Sequence, residues 1–360
     1  MAIYYITLTL VCMICYYSEE LDWPEVNVYN KLRIIHSSDT RKIYILVAVV
    51  LIFVAGFRYK VGMDYSAYYR GYADYLNSLP NAIKELDEPG LGVLIWIATR
   101  FYNNGAAGIF VASLVTISLP LIVIFQHSNR LILPTFLYIT MGCWTGSFNG
   151  VRQYLAASVL FFGYESLKER NIVKYCIIVF IAFLFHRSAI VFIVLYFIVN
   201  RDISIPNIVM LIGVIGILFL SYDRVFQFAN FIMDKEYSLE IAYTSRAVNR
   251  LRVLATFVPV FIFSYAYYDK KRTEPIVFSL NIIIFRAALS VLAMNSALLY
   301  RINIYTSLFA PLAITQLLEG ISEKNKKIIE LLLISMYFVM WSYELYKAGS
   351  MNHFQWIWER

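Results

Sequence analysis

The chain has 360 residues, of which 60% are hydrophobic and only 15% are charged. A soluble domain of this size carries roughly 25% charged residues, so the composition excludes an ordinary soluble protein. The net charge of +7 does not indicate nucleic-acid binding, because the basic residues are scattered through loops and form no basic domain. The lipid bilayer and anionic, lipid-linked substrates are the partners that fit this charge.

Apolar stretches comparable to the length of a membrane span recur from end to end, and they predict an all-α, polytopic transmembrane helical bundle. With about 20 residues per span, we expect about 11–12 spans in a single integral membrane domain, 1–360. Residues 91–102 are too short to cross and are expected to form a re-entrant or interfacial helix. The first stretch lacks a basic n-region and a cleavage site, so it is interpreted as a retained span. The stretches are 2–17, 41–57, 108–126, 131–146, 149–165, 173–199, 206–222, 253–268, 275–294, 300–318 and 328–346.

The basic loops set the predicted orientation, because lysine and arginine are enriched in cytoplasmic loops. For the three tight basic clusters to share that side, 91–102 must not cross, and 173–199 must form two short helices broken near His186–Arg187. The three clusters are 168–174, 270–272 and 324–327.

This topology places the loops near 58–90 and 223–252 outside the cytoplasm, where arginines are frequent and lysines are few. Guanidinium groups bind phosphate through two parallel hydrogen bonds, so such a face suits an anionic substrate. A topology shifted by one span would remove this asymmetry.

The densest polar cluster follows the second apolar stretch, where residues 57–65 have the sequence FRYKVGMDY. Arg58 and Asp64 flank Gly62, which allows a sharp turn. The aromatic rings of Tyr59 and Tyr65 suit a sugar ring, although tyrosines at a membrane interface also form ordinary aromatic belts.

A second cluster, 146–153, lies in the tight turn between two apolar stretches. Asn149, Arg152 and Gln153 stand at the start of the next helix, where unpaired N–H groups favour an anion. A snorkelling Arg152 at the membrane interface is the competing interpretation.

His186 and Arg187 interrupt an otherwise apolar stretch, and polar groups at membrane depth are costly. A neutral histidine there suits a general base. A histidine satisfied by hydrogen bonds inside the bundle is the alternative.

Further arginines lie in or near the remaining loops. Arg246 and Arg250 share a helical face, where like charges repel each other unless an anion is bound. An amphipathic helix on lipid headgroups is the alternative. Tyr300 and Arg301 open a later stretch on the external side, and Arg286 lies within a span with no obvious partner.

Several motifs are absent from the sequence. There is no glycine-rich phosphate loop, no paired-aspartate motif for a nucleotide sugar, no serine nucleophile elbow and no zinc motif. The four cysteines lie in apolar stretches and are interpreted as packing residues. We therefore predict no metal and no cofactor, with an activated donor supplied by the membrane.

The ordered motifs resemble the EpsG family of polysaccharide polymerases, relatives of the Wzy O-antigen polymerases, over roughly residues 45–345. The motifs that carry the resemblance are FRYKVGMDY at 57–65, EPG at 88–90, NGVRQ at 149–153, FHRSA at 185–189 and YR at 300–301.

The resemblance implies a glycosyltransferase that joins undecaprenyl-diphosphate-linked repeat units on the external face of the cytoplasmic membrane. The donor and acceptor are both lipid-linked glycans, and a flippase and a chain-length regulator of the same pathway are the implied protein partners. In this hypothesis the arginines Arg58, Arg152 and Arg301 neutralise the diphosphate, and Asp64 or His186 is the base, with Glu88 as a third choice. We expect Arg58→Ala to abolish polymer while protein levels stay intact.

In the same hypothesis Arg246 and Arg250 hold the second lipid-linked substrate. The other predicted substrate contacts are Tyr59, Gly62, Tyr65, Glu88, Asn149, Gln153, Arg187 and Tyr300. A flippase or transporter of lipid-linked oligosaccharide would also need many spans and an arginine-lined cavity. A polymer ligase would use the same chemistry as a polymerase.

Overall fold

The computed structural model describes residues 1–21, 34, 36–74, 88–201, 249–268, 274–292, 294 and 301–359. The predictions for Arg246, Tyr300, the stretch 206–222 and most of the loop 223–252 therefore lie outside the described residues, as does the basic cluster 270–272.

The described residues of the first half of the chain form helices and one two-residue strand. Its elements are α1 (Ala2–Leu21), α2 (Ser38–Gly56), β1 (Arg58–Tyr59), α3 (Tyr65–Asp74), α4 (Pro89–Phe101), α5 (Gly105–His127), α6 (Ile132–Thr140), α7 (Cys143–Gly146), α8 (Val151–Phe162) and α9 (Tyr164–Lys168).

The second half has the same character. Its elements are α10 (Ile172–Phe185), a 3-10 helix (Arg187–Phe192), α11 (Ile193–Val199), α12 (Arg250–Ala266), α13 (Glu274–Leu292), α14 (Asn303–Ser307), α15 (Ala310–Glu319), α16 (Glu323–Lys347), α17 (Gly349–Asn352), β2 (Gln355–Trp356) and a final 3-10 helix (Ile357–Glu359).

The fold confirms the predicted class, an all-α polytopic helical protein. Among the described residues, four helices are long and apolar enough to cross a membrane by length and composition: α1, α5, α13 and α16. Large hydrophobic side chains are exposed on α1, α5 and α16, as is expected where the surrounding solvent is hydrocarbon.

Helix α5 lies at the centre of the half of the bundle that carries the polar motifs. It packs against α2, α3, α4 and α8. Asn104 begins it, because the Asn104 side chain accepts a hydrogen bond from the Ala106 N–H at 2.8 Å. Gly105 lets α5 approach closely, since a Cβ there would lie 1.9 Å from the Tyr69 carbonyl oxygen.

The stretch 173–199 breaks where the sequence predicts. Helix α10 ends at Phe185, and His186 has an extended backbone with φ −161° and ψ 121°. The chain then returns, because Asn200 Nδ2 donates to the Leu167 carbonyl oxygen at 2.7 Å, next to the start of α10. The segment is therefore a helical hairpin with His186 at its tip.

The opposite end of the bundle gathers basic residues and carboxylates. Lys168 and Lys326 lie close enough to Glu319 for their charges to act on its carboxyl group. Both guanidinium Nη atoms of Arg130 donate to Glu330 at 2.7 Å. Lys168 and Lys326 belong to two of the basic clusters predicted to share one side, so the structure confirms that these two lie at the same end.

Two predicted continuous stretches are divided in the structure. Residues 131–146 form α6 and α7, which are separated at Gly142 with a positive φ of 79°. Residues 300–318 include α14 and α15, and Pro311 stands in the first turn of α15. The short helix α4 has 13 residues and is about 20 Å long, too short for a span, as predicted.

The C-terminal segment folds back onto the FRYKVGMDY loop, which the sequence did not predict. Strands β1 and β2 pair antiparallel, with Arg58 opposite Trp356. The Gly62 N–H also donates to the Ser350 carbonyl oxygen at 3.2 Å, and the Ile357 N–H donates to Phe57 at 2.9 Å. These contacts hold the loop that contains Asp64.

Candidate functional site

A buried carboxylate lies at the centre of the site. Glu88 precedes Pro89 at the start of α4, and only 4% of its surface is exposed. Arg152 Nη1 donates to Glu88 Oε2 at 3.1 Å, and His186 Nδ1 lies 2.5 Å from Glu88 Oε1. Three motifs that are far apart in the chain therefore meet at one carboxylate, which needs such partners because a buried unpaired charge is costly.

The contact with Glu88 decides which nitrogen of His186 can do chemistry. A carboxylate only accepts hydrogen bonds, so Nδ1 of a neutral His186 carries the proton and Nε2 keeps a free lone pair. The His186 side chain is 20% exposed and that of Glu88 is 5% exposed. The arrangement therefore leaves Nε2, on a side chain that is one-fifth exposed, as the ring nitrogen with a lone pair available to a ligand.

Arg58 is fully enclosed, although the sequence predicts a catalytic role for it. Its guanidinium group donates to the Ala55 carbonyl oxygen, to Ser113 Oγ at 3.2 Å and to the Phe148 carbonyl oxygen at 3.3 Å, and it stacks on the Phe148 ring at 4.6 Å. Burial lowers the pKa of Arg58 to about 10, so the side chain stays charged at neutral pH. With 1% exposure, Arg58 connects α2 to the loop before α8 and offers no face to a diphosphate.

Gly62 and Asn149 join the two polar loops. The Asn149 Oδ1 atom accepts a hydrogen bond from the Met63 N–H at 2.7 Å. Gly62 has a φ of +99°, and a Cβ there would lie 2.7 Å from the same Oδ1 atom. Glycine is therefore required at this turn for both its conformation and its size. Both residues were predicted to contact substrate. In the structure Gly62 shapes the turn, and Asn149 accepts the Met63 hydrogen bond and also lines a cavity.

Tyr68 connects the Glu88 cluster to a second group of charges. Its hydroxyl donates to the Asn149 carbonyl oxygen at 3.0 Å and also hydrogen-bonds to Arg152. The same hydroxyl is influenced by the charges of Asp64 and Arg301. Asp64 and Arg301 line a cavity of about 310 Å³, and Asn149 lines it as well.

Gln153 and the residue after Arg187 meet at another tyrosine. The Tyr305 hydroxyl lies 2.7 Å from Ser188 Oγ and hydrogen-bonds to the Gln153 side chain. Tyr305 follows Arg301 by one helical turn, so α14 reaches the wall of the site. Gln153 is thus close to the predicted centre and held by a neighbouring side chain.

The other predicted residues take varied positions. Tyr65 is 2% exposed and lies against Arg58, 5.9 Å from ring centre to guanidinium carbon, so its ring is not available to a sugar. Tyr59 is half-buried in β1, and Arg187 is half-buried at the start of the 3-10 helix. Arg250 is exposed in the first turn of α12.

Sequence reasoning missed two charged residues at the cavity. Arg252 Nε donates to Glu344 Oε1 at 2.5 Å, and both side chains line the cavity with Arg286. A signal was present, because Glu344 lies within an apolar stretch where a carboxylate is costly. Arg286 was noticed in the sequence but received no role.

The fold and the site define a polytopic membrane protein with a buried acid–histidine–arginine cluster at the tip of a broken helix. A family model described as the EpsG family matches residues 41–357, and the chain belongs to that family. The family supports a polysaccharide polymerase role in general terms. No curated protein and no solved structure matches the chain.

Proposed function

We propose that the protein is a Wzy-type polymerase that joins undecaprenyl-diphosphate-linked repeat units on the external face of the cytoplasmic membrane, into O-antigen, capsule or exopolysaccharide. The observation that carries this proposal is the convergence of Arg152 and His186 on the buried carboxylate of Glu88. A base, a residue that orients it and a cation are the groups that metal-free glycosyl transfer requires.

In the proposed reaction the acceptor hydroxyl attacks the anomeric carbon of the donor. His186 Nε2 takes the hydroxyl proton, and Glu88 stabilises the imidazolium that forms. The bond between the anomeric carbon and the diphosphate oxygen breaks, and undecaprenyl diphosphate leaves with the bonding electrons. Arg152 offsets the negative charge that develops on the leaving group.

The roles of two predicted residues change in this proposal. Arg58 becomes a positioning residue, because its guanidinium group holds the Ala55 and Phe148 carbonyl oxygens. Asp64 lines the neighbouring cavity and is the alternative base if His186 proves dispensable. The thin loops of the described regions leave chain-length control to a separate protein.

A flippase is the second candidate, since the broken hairpin at His186 is a feature that transporters use to build binding sites in the membrane. A polymer ligase shares the proposed chemistry and differs only in its acceptor.

Surface-glycan profiling in a deletion strain tests the proposal. The strain is complemented with wild type, with Glu88→Gln and His186→Gln, and with the exposed control His353→Gln. A glycan that stops at one repeat unit, and that only wild type and the control extend, supports a polymerase. Loss of surface glycan with lipid-linked units retained inside the cell would favour the flippase. Normal repeat-unit polymer lacking its final acceptor would favour the ligase.

A further inference from the structure

The cavity of about 310 Å³ is built separately from the Glu88 cluster. It lies between α7, α12, α13, α14 and α16, and Asn149 and Gly150 of the turn before α8 also line it. Three arginines and two carboxylates line it: Arg252, Arg286, Arg301, Asp64 and Glu344. Its charged lining is therefore net positive, and its volume lies at the small end of ligand sites, where a headgroup fits and an oligosaccharide does not.

Arg286 is the group that points to a ligand. It lies in the interior of α13, where only 9% of its surface is exposed, and it lines the cavity. Within the described part of the chain, none of the ion pairs involves Arg286. Its charge acts on the Cys143 thiol and the Tyr337 hydroxyl, which are neutral at physiological pH.

An arginine cannot lose its proton to escape this situation. A buried charge that no ion pair holds is costly to the folded protein, and an anion bound in the cavity would offset that cost. Arg252 differs from Arg286 in this respect, because Glu344 already neutralises its charge in an ion pair at 2.5 Å. Arg286 is thus a preformed site for an anion, with Arg301 at the exposed side of the cavity.

We propose that this cavity binds the diphosphate of a second lipid-linked substrate, and that Arg286 is its principal contact. The assignment to a lipid-linked molecule rests on the proposed function, because a reaction between two such molecules brings two diphosphates to one protein. Arg152, the cation of the Glu88 cluster, serves the departing diphosphate in the proposed reaction, so the second diphosphate needs a cation elsewhere. The guanidinium group of Arg286 can donate two parallel hydrogen bonds to two oxygens of one phosphate.

Binding is tested on the full-length protein in detergent, with inorganic pyrophosphate as the probe. The thermal unfolding midpoint is followed as pyrophosphate is titrated at constant ionic strength, because a ligand that binds only the folded state raises that midpoint. Arg286→Gln is expected to weaken pyrophosphate binding by about ten- to a hundredfold, the effect of one charge-assisted contact. Arg70→Gln is the matched control, since Arg70 is an exposed arginine of α3.

A second variant makes the opposite prediction. Glu344→Gln removes the carboxylate that holds Arg252, so the cavity gains positive charge and pyrophosphate binding becomes tighter. Arg286→Gln without ligand is expected to unfold at the wild-type temperature or above, because it removes a buried unpaired charge. If Arg286→Gln fails to fold, Arg286→Lys, which keeps the charge and loses the two-pronged guanidinium group, is expected to bind pyrophosphate more weakly than wild type.

A short-chain prenyl diphosphate distinguishes a lipid headgroup from free phosphate. Competition between the prenyl diphosphate and pyrophosphate supports the proposal. Binding of pyrophosphate alone, or of a sugar acid in place of both, would overturn the assignment to a lipid-linked diphosphate. Equal pyrophosphate binding by wild type and Arg286→Gln would refute the site, whereas normal polymer from Glu88→Gln would refute the proposed reaction and leave this binding result intact.

Discussion

Replacement of Glu88 by glutamine is the sharpest test of the proposed reaction centre. The amide has nearly the same shape as the carboxylate, so the fold is expected to persist at wild-type abundance. Arg152 needs an oxygen to accept its hydrogen bond, and this turns the amide NH₂ group toward His186 Nδ1. The ring then places its proton on Nε2, because Nδ1 must accept, and Nε2 can no longer take the acceptor's proton.

The loss of a positioned general base lowers the rate by about 10²- to 10⁴-fold. We expect that loss for Glu88→Gln and a similar loss for His186→Gln, with no further loss when the two are combined, because they act as one unit. The assay measures polymer formed by purified protein from lipid-linked repeat units that accumulate in the deletion strain. Glu323→Gln is the control, since the Glu323 side chain is 77% exposed. A Glu88→Gln rate within about threefold of wild type at equal protein level would refute the tautomer argument.

Three further substitutions test how the site is held together. Arg58→Ala is expected to destabilise the protein by about 2–5 kcal/mol, because it leaves the Ala55 and Phe148 carbonyl oxygens without a donor and opens a cavity. Its abundance and unfolding midpoint therefore fall together with polymer, and intact protein without polymer would restore the catalytic role. Gly62→Ala is expected to cost about 1–3 kcal/mol, measured as a lower unfolding midpoint, because the site needs a positive φ. A midpoint unchanged from wild type would contradict this. Tyr68→Phe removes a hydroxyl that bonds to the Asn149 carbonyl oxygen and is expected to cost about 1 kcal/mol and slow polymerisation several-fold. Full activity in that variant would show that the two groups of charges work independently.

Patterns in the sequence predicted the parts of the fold that depend on hydrocarbon as a solvent. The class, the break at His186 and the shared end of Lys168 and Lys326 follow from where charge is costly and where it is tolerated. The breaks inside apolar stretches were not predicted. A glycine such as Gly142 hardly changes the mean hydropathy of its stretch, and the break there depends on a positive φ that the hydropathy pattern does not show. The pairing of β1 with the C-terminal β2 joins segments too short to carry a pattern.

The sequence predicted which residues belong to the candidate site, but it did not predict the role of each one. Glu88, Arg152 and His186 were all predicted to be site residues because polar groups near or within apolar stretches usually have a function. In the structure Arg152 and His186 both contact the Glu88 carboxylate. Arg58 satisfied the same criterion for another reason, since α2 ends at Gly56 and leaves carbonyl oxygens that need a donor. The sequence shows which side chains can donate hydrogen bonds, but it does not show which buried carbonyl oxygens lack a donor. An arginine that positions the backbone therefore cannot be distinguished by sequence from one that binds substrate.

The charge balance of the Glu88 cluster explains why a base and a cation share one carboxylate. With a neutral His186, as the proposed reaction requires, the charges of Arg152 and Glu88 cancel, and the cluster carries no net charge in a region where such a charge is costly. Transfer of the acceptor's proton to His186 gives the cluster one positive charge at the moment when the departing diphosphate gains negative charge. The two changes stabilise each other most strongly where water is scarce. A carboxylate at 5% side-chain exposure, with partners at 20% and 31%, places the new positive charge toward the open side, where the leaving group would lie.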